Sequence, residues 1–308
     1  MNKLTKISMT ALSTALIAGS VQAMDYSISG GASIGYTSVN TSSDSNPWSM
    51  GDSITFSTSG DLDNGMTVSV SLEMDDHGSD AIDDKKITID TGNGVIGFAT
   101  SIGGIGGIGT IANKVPNALT PVFEATNAVD YGQADQKMSS SGQWGYKHTV
   151  GGIGISIGYT PGGNTNGGAD SGWSLSYADL MDGLEVGIGQ QDDGTVSESE
   201  TAYIKYVTGG ITVAYQKSKV DYESTGTSDE DATHYGVSMA VNDDLSVSVG
   251  RQDVEIGTAA NEEENTGVAA SYTMGSVKVG IAFNKAANVA GATGVDHEAT
   301  VGSITFSF

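Results

Sequence analysis

The sequence predicts an all-β chain: a 16-stranded antiparallel β-barrel that spans a membrane. Three observations carry this reading. Apolar residues alternate with small polar ones along nearly the whole chain, the period of a strand with two unlike faces. The connections between the alternating runs are short and long by turns. The runs are about 8–12 residues long, enough for a tilted strand to cross a bilayer, and after residue 23 no stretch of about 18 apolar residues could cross as a helix.

The chain opens on a targeting segment. Lys3 and Lys6 give a basic start, Ile7 to Gly19 is largely apolar, and Val21-Gln22-Ala23 has the small-residue spacing of a cleavage site. The expected division is therefore a signal peptide over 1–23 and a barrel over 24–308.

In the first strand Tyr26, Ile28, Gly30, Ala32, Ile34 and Tyr36 share one face, and Ser27, Ser29, Gly31, Ser33 and Gly35 the other. Val68, Val70 and Leu72 oppose Thr67, Ser69 and Ser71. Ile153, Ile155, Ile157 and Tyr159 continue the pattern, as do Val277, Val279, Ile281 and Phe283 against Lys278, Gly280, Ala282 and Asn284. Lipid offers the backbone no hydrogen-bond partner, so a sheet in a membrane must close on itself. The polar faces are too rich in Ser and Gly for a soluble barrel, which would turn its apolar face inward. Tyr26, Tyr36, Trp144, Tyr159, Trp173, Tyr177, Tyr206, Tyr215 and Tyr272 stand at or near strand ends, where an aromatic girdle belongs.

Short connections fall near 61–65, 92–94, 151–152, 179–183, 209–210, 242–244 and 274–276, each with the Gly, Asn or Asp that a hairpin turn takes. Long ones fall near 38–50, 75–84, 103–141, 161–171, 190–200, 217–232, 253–266 and 285–297. Together they join sixteen strands and place both chain termini at the short-turn end, the arrangement of a transmembrane barrel. Pro47, Pro116, Pro121 and Pro161 all lie in long connections, where they interrupt no ladder.

Composition removes several classes. With 37 Asp+Glu against 13 Lys+Arg the chain cannot neutralise phosphates, so nucleic acid is not a partner. With no Cys there is no disulfide, thiolate metal site or Cys nucleophile.

On the first strand, on the polar-tipped hairpin Gly60-Asp61-Leu62-Asp63-Asn64-Gly65-Met66-Thr67-Val68, and above all on the ending Gly302-Ser303-Ile304-Thr305-Phe306-Ser307-Phe308, the chain resembles the Gram-negative general porins of the Rhodobacter-like, sixteen-stranded kind. In that family a terminal Phe preceded by alternating apolar residues is read by the barrel-assembly machinery; here Ile304, Phe306 and Phe308 match it. The resemblance implies residence in the outer membrane among lipid and lipopolysaccharide, a homotrimer with one pore per subunit, and passive diffusion of small hydrophilic solutes. It also implies that the third long loop, from about Gly103 to Gly142, folds into the lumen and narrows it. Thr120-Pro121-Val122-Phe123-Glu124 has the cap and first turn of a short helix, which would satisfy that loop's backbone.

Alternation then assigns the lumen. Ile87 and Ile89 face lipid, so Lys86, Thr88 and Asp90 point inward; by the same reasoning Lys147, Lys205 and Lys278 do as well. The loop carries Glu124, Asp130 and Asp135, and these acids are expected to face some of those lysines across the constriction, making a transverse field. General porins carry several arginines on the wall opposite the loop; this chain has Arg251 alone, so the field is expected to be weak, the mouth acidic and the channel cation-preferring.

Most acids lie in long connections: Asp75, Asp76, Asp80, Asp83 and Asp84; Asp192, Asp193, Glu198 and Glu200; Asp229, Glu230 and Asp231; Glu262, Glu263 and Glu264. They lack the spacing of a calcium loop and read as a solvated surface, with weakly bound Ca²⁺ the functional alternative and no other cofactor expected. Gly31-Ala32-Ser33-Ile34-Gly35 mimics a nucleophile elbow but lies mid-strand, and Gly104-Ile105-Gly106-Gly107-Ile108-Gly109 mimics a nucleotide loop with no βαβ unit. His77, His148, His234 and His297 are isolated and in no metal motif. An outer-membrane enzyme would need a converging nucleophile, base and acid, and the sequence offers none. A surface β-solenoid of adhesin type would show one repeat period, which is absent, and a substrate-selective channel would show a ladder of aromatic or Arg residues along the lumen, which alternation does not provide.

Overall fold

The protein was analysed as a computed structural model that describes residues 25–41, 46–75, 82, 84–100, 105–124, 126, 142–162, 168–194, 197–223 and 228–308. The signal segment 1–23, Asp76, His77, Asp80, Asp83, Asp130 and Asp135 lie outside the described residues.

Sixteen strands follow one another: β1 Asp25–Val39, β2 Trp48–Asp61, β3 Thr67–Asp75, β4 Lys85–Asp90, β5 Val95–Ala99, β6 Gln143–Val150, β7 Ile153–Thr160 and β8 Asp170–Tyr177. Then come β9 Leu184–Asp192, β10 Ser197–Thr208, β11 Ile211–Tyr222, β12 Glu230–Ala240, β13 Leu245–Ile256, β14 Glu263–Met274, β15 Val277–Ala287 and β16 His297–Ser307. Each pairs antiparallel with its neighbours in the sequence, and β1 pairs with β16, so the sheet closes and has no edge. Closure is completed at the last residue: Gly30 N–H donates to the Phe308 carbonyl at 2.7 Å and Phe308 N–H to the Gly30 carbonyl at 2.9 Å. A closed barrel excludes the solenoid.

The two faces divide as alternation requires. Ile28, Met50, Ile96, Phe98, Ile157, Ile188, Val249, Val268, Ile281 and Phe283 are exposed on the outer wall. Their sequence neighbours Ser29, Gly51, Gly97, Ser156, Gly189, Gly250, Gly267 and Ala282 turn inward. The girdle is tangible: Phe98 and Trp144, cross-strand partners, have ring centroids 4.8 Å apart, and Tyr36 and Trp48 5.0 Å apart.

The strands run further than hydropathy indicates at the long-loop end. Glu198 and Glu200 belong to β10, Lys217, Lys219 and Asp221 to β11, Asp231 to β12 and Glu264 to β14. There the sense of the faces inverts. Val220, Ala232, Val254 and Ala286 are buried on the inside, while the outside carries ion pairs: Lys217–Asp231 at 3.8 Å, Lys219–Asp221 at 2.7 Å, Lys285–Glu298 at 3.6 Å, and Arg251 with Asp253 at 2.7 Å and Glu264 at 3.0 Å. Beyond the hydrocarbon the outer face carries the charges, and the inner face mixes these buried apolar residues with buried polar ones such as Ser218, Glu230, Gln252, Glu263 and Asn265.

The short connections are tight. In the β2–β3 turn Leu62 N–H donates to the Met66 carbonyl and Gly65 N–H to the Leu62 carbonyl, with Gly65 at φ 81°, a conformation that favours glycine. Two glycines, Gly209 and Gly210 at φ 53° and 82°, make the whole β10–β11 turn.

Part of the long β5–β6 connection is described, and that part lies inside the barrel. This part, 105–124 and 126, travels along the inner wall from β5 to β16, and the apolar core of the molecule is the seam between this loop and the wall. Ile105, Ile108, Ile111, Val115, Val122 and Phe123 are buried there; burial of a Val, Ile or Phe side chain stabilises by about 1.5–3 kcal/mol. The segment expected to be a helix is not one. Thr120–Glu124 makes a single turn, closed by Glu124 N–H donating to the Pro121 carbonyl at 3.2 Å, and the loop's regular piece is a 3-10 turn at Ile108–Ile111. A helix is unnecessary because wall side chains take the carbonyls it would have used: Asn284 Nδ2 donates to the Pro121 and Glu124 carbonyls, both at 3.0 Å.

Candidate functional site

The described part of the loop, 105–124 and 126, divides the lumen. On the side it covers, inward residues of β10 to β15 are buried: Ser199, Thr201, Gln216, Ser218, His234, Gln252, Ala282 and Asn284. On the side it leaves bare, the inward residues of β2 to β4 stay partly accessible: Ser53, Thr55, Ser57, Ser59, Ser69, Ser71, Glu73, Lys86 and Thr88. These stand in cross-strand rows, Ser27–Ser57–Ser71–Lys86 and Ser29–Thr55–Glu73. Hydroxyls present both donors and acceptors to water or a polar solute and repel neither sign of charge. A polar, partly accessible face therefore runs down the β1–β4 wall, opposite the described part of the loop.

Where the loop passes β9 and β10 a charged cluster forms. Glu185 points inward because Leu184 and Val186 flank it on the lipid side. Its Oε2 meets Lys205 Nζ at 2.8 Å across the β9–β10 ladder, its Oε1 meets Lys114 Nζ of the loop at 3.2 Å, and the Tyr203 hydroxyl donates to Oε1. Lys114 Nζ also lies 5.2 Å from the centre of the Tyr203 ring, within the range of a cation–π contact. The side chains of Glu185, Lys114 and Lys205 are each about a quarter exposed, so the cluster is not sealed from solvent.

The residues expected from sequence fall as follows. Lys86, Lys147, Lys205 and Lys278 all occupy inward register positions: Lys86 beside Ser71 and Ala99, Lys147 beside Val95 and Ser156, Lys278 beside Thr273 and Thr305. Lys278 is the second residue of β15, close to the short-turn end. Glu124 lies on the loop next to β15 with its side chain exposed; Asp130 and Asp135 are outside the described residues. Among the described residues, the ion pair joining loop to wall runs from a loop base, Lys114, to a wall acid, Glu185. Ile304 and Phe306 face outward and Phe308 is strongly exposed at the barrel seam.

Sequence reasoning missed Lys114, Glu185, Tyr203 and the wall residues that hold the loop. Alternation alone would have placed Glu185 inside; nothing local marks Lys114 as its partner. His297, read as isolated, has Nδ1 2.6 Å from the Thr126 carbonyl, and His234 meets the Phe123 ring edge-on at 5.9 Å. A groove of about 860 Å³ between Tyr235, Val249, Arg251, Val268, Phe283 and Lys285 is bordered mainly by outward residues and belongs to the lipid face, outside the lumen.

A closed barrel with an apolar exterior and a polar hollow is the build of a membrane channel. The chain belongs to the Gram-negative porin family, whose sequence profile matches residues 8–307. It is an outer-membrane protein and an outer-membrane channel. No curated protein sequence matches it. Among solved structures it is similar to OmpT, an outer membrane protein of Vibrio cholerae, with TM-score 0.70 and 10% identity over 94% of this chain and 100% of that one. A trimer form of that protein gives TM-score 0.68 and 12% identity over 93% and 100%. A mutant of Rh. blastica porin gives TM-score 0.65 and 12% identity over 92% and 100%. At such identities these likenesses speak to the fold.

Proposed function

We propose that the protein forms a water-filled channel for passive diffusion of small hydrophilic solutes and ions, with a preference for cations. The observation that carries this is the divided lumen: the loop lies against one side, and a hydroxyl-rich wall stays accessible on the other. The formal net charge of −24 supports cation enrichment at the mouth, with the Lys114–Glu185–Lys205 cluster as a local positive counterweight inside. Liposomes containing the folded protein should swell in small neutral sugars at rates that fall with sugar size, and the reversal potential in a salt gradient should have the cation sign. Size-independent swelling, or the anion sign, would contradict the respective part.

A homotrimer fits the outer wall. Asp52 faces outward on β2 between Met50 and Ile54, opposite Ala32. A carboxylate on bare lipid is unfavourable, so this wall suits contact with another subunit. The 1–23 segment acts as a cleaved signal peptide, which N-terminal sequencing of outer-membrane material tests directly. Lipopolysaccharide, the barrel-assembly machinery reading Ile304, Phe306 and Phe308, and weakly bound Ca²⁺ at the acidic loops complete the set of proposed partners.

A further inference from the structure

We propose that Gln216 and Asn284 are positioning residues that fix the calibre of the channel by seating the inner loop in a slot of wall glycines; this rests on the channel reading above. The argument begins with backbone accounting. A loop pressed against a wall must still pair its N–H and C=O groups, and among its described residues the 3-10 turn at Ile108–Ile111 is the regular structure with which to do so. The wall supplies the partners. Gln216 Nε2 donates to the Ile111 carbonyl at 3.0 Å and the Ala112 carbonyl at 2.7 Å, while its Oε1 accepts from Lys114 N–H at 2.8 Å. Asn284 Nδ2 holds the Pro121 and Glu124 carbonyls. Between them Ser248 Oγ accepts from Ala118 N–H at 2.8 Å. Both amides are buried beneath the loop, touching its backbone rather than the solute path.

The slot is steric. A Cβ added to Gly97 would stand 2.1 Å from Ile105 Cγ2, and one on Gly145 would stand 2.5 Å from the same atom. On Gly236 it would be 2.8 Å from Val115 Cγ1; on Gly250 and Gly267, 3.0 and 3.1 Å from Val122 Cγ1; on Gly280, 2.5 Å from Leu119 Cδ1. None of these glycines has a left-handed backbone, so their torsions demand no glycine; space does. Gly97 and Gly145 are register neighbours, as are Gly236, Gly250 and Gly267. Loop side chains fill these spaces, sharing the one at Gly267 with the wall's Asn284 side chain, and each amide holds the backbone between. The loop is thereby kept flat on one side of the lumen, leaving the hydroxyl wall free.

Single-channel recording of the Gln216→Ala/Asn284→Ala double variant tests this. Loss of these bonds should raise the unseated fraction of the loop about thirtyfold, the equivalent of about 2 kcal/mol, read as excess open-channel noise and sub-conductance dwell. Gly236→Val, which fills the slot and leaves the ladder intact, should do the same if the double variant folds poorly. Adding the Val115→Cys/Gly236→Cys pair to the double variant, in a chain with no other cysteine, should quiet the channel when oxidised and release it when reduced. Quiet, wild-type currents from correctly folded Gln216→Ala/Asn284→Ala or Gly236→Val barrels, or a cross-link without effect on the noise, would overturn the proposal. If wild-type protein conducts nothing, the channel reading fails instead, and seating is then read by limited proteolysis: residues 109–126 should be cut faster in the variants than in the parent, and equal rates would sink the proposal.

Discussion

Replacing Glu185 with Gln should move the channel's selectivity towards anions. The substitution is nearly isosteric, and its one oxygen still accepts from the Tyr203 hydroxyl and Lys114 while its amide nitrogen faces Lys205, whose ammonium turns to water instead. What changes is charge: two lysines that share a carboxylate become two lysines without one. For an ion passing about 5 Å from the site, one unit of charge in a water-like dielectric is worth about 0.8 kcal/mol, falling to about 0.5 kcal/mol with screening at 0.1 M salt. A cation is penalised and an anion favoured by that amount, so the permeability ratio should shift roughly five- to fifteenfold towards the anion. Reversal potentials under a tenfold salt gradient read this directly, with Lys114→Met expected to shift the other way. An unchanged reversal potential in Glu185→Gln, or a shift towards cations, would show that the cluster does not face the ion path and would refute the placement of the lumen.

Three further outcomes are expected. Ile281→Lys puts a cation on the lipid face and should destabilise the folded barrel by about 2–4 kcal/mol if it lies near the bilayer midplane, whereas Ser303→Lys on the inner face should not; urea titration of refolded protein in lipid vesicles separates them. Removing Phe308 deletes both backbone bonds to Gly30 at the β1–β16 seam and should lower the yield of heat-modifiable barrel in the outer membrane severalfold. Gly65→Ala forces a side chain into φ 81° and should cost about 1 kcal/mol in the same urea titration without altering conductance.

Much of this architecture was legible in the sequence because a barrel strand in lipid has a period of two and an obligatory outer face. Strand parity, the short turns and the inward lysines all follow from that constraint. The constraint lapses beyond the hydrocarbon. Around Lys217–Asp221 the outer face is charged and the inner one holds Gln216, Ser218 and Val220, so the apolar outer stripe is lost and the segment reads as loop. The loop's path was hidden for a different reason. Its seat is made by Gly236, Gly250 and Gly267, one from each of three strands, and by Gln216 and Asn284 on two others, and no local pattern ties them to Val115 or Val122. The helix expected at Thr120–Glu124 failed on the same point: local capping signals lost to the tertiary partner Asn284.

Planar-bilayer recording of the purified, heat-modifiable barrel tests the central claim most directly. A polar hollow passing along the β1–β4 wall predicts stable ohmic steps whose conductance rises in proportion to bulk salt. A folded barrel that gives no steps, or a conductance that saturates at low salt, would contradict a water-filled path.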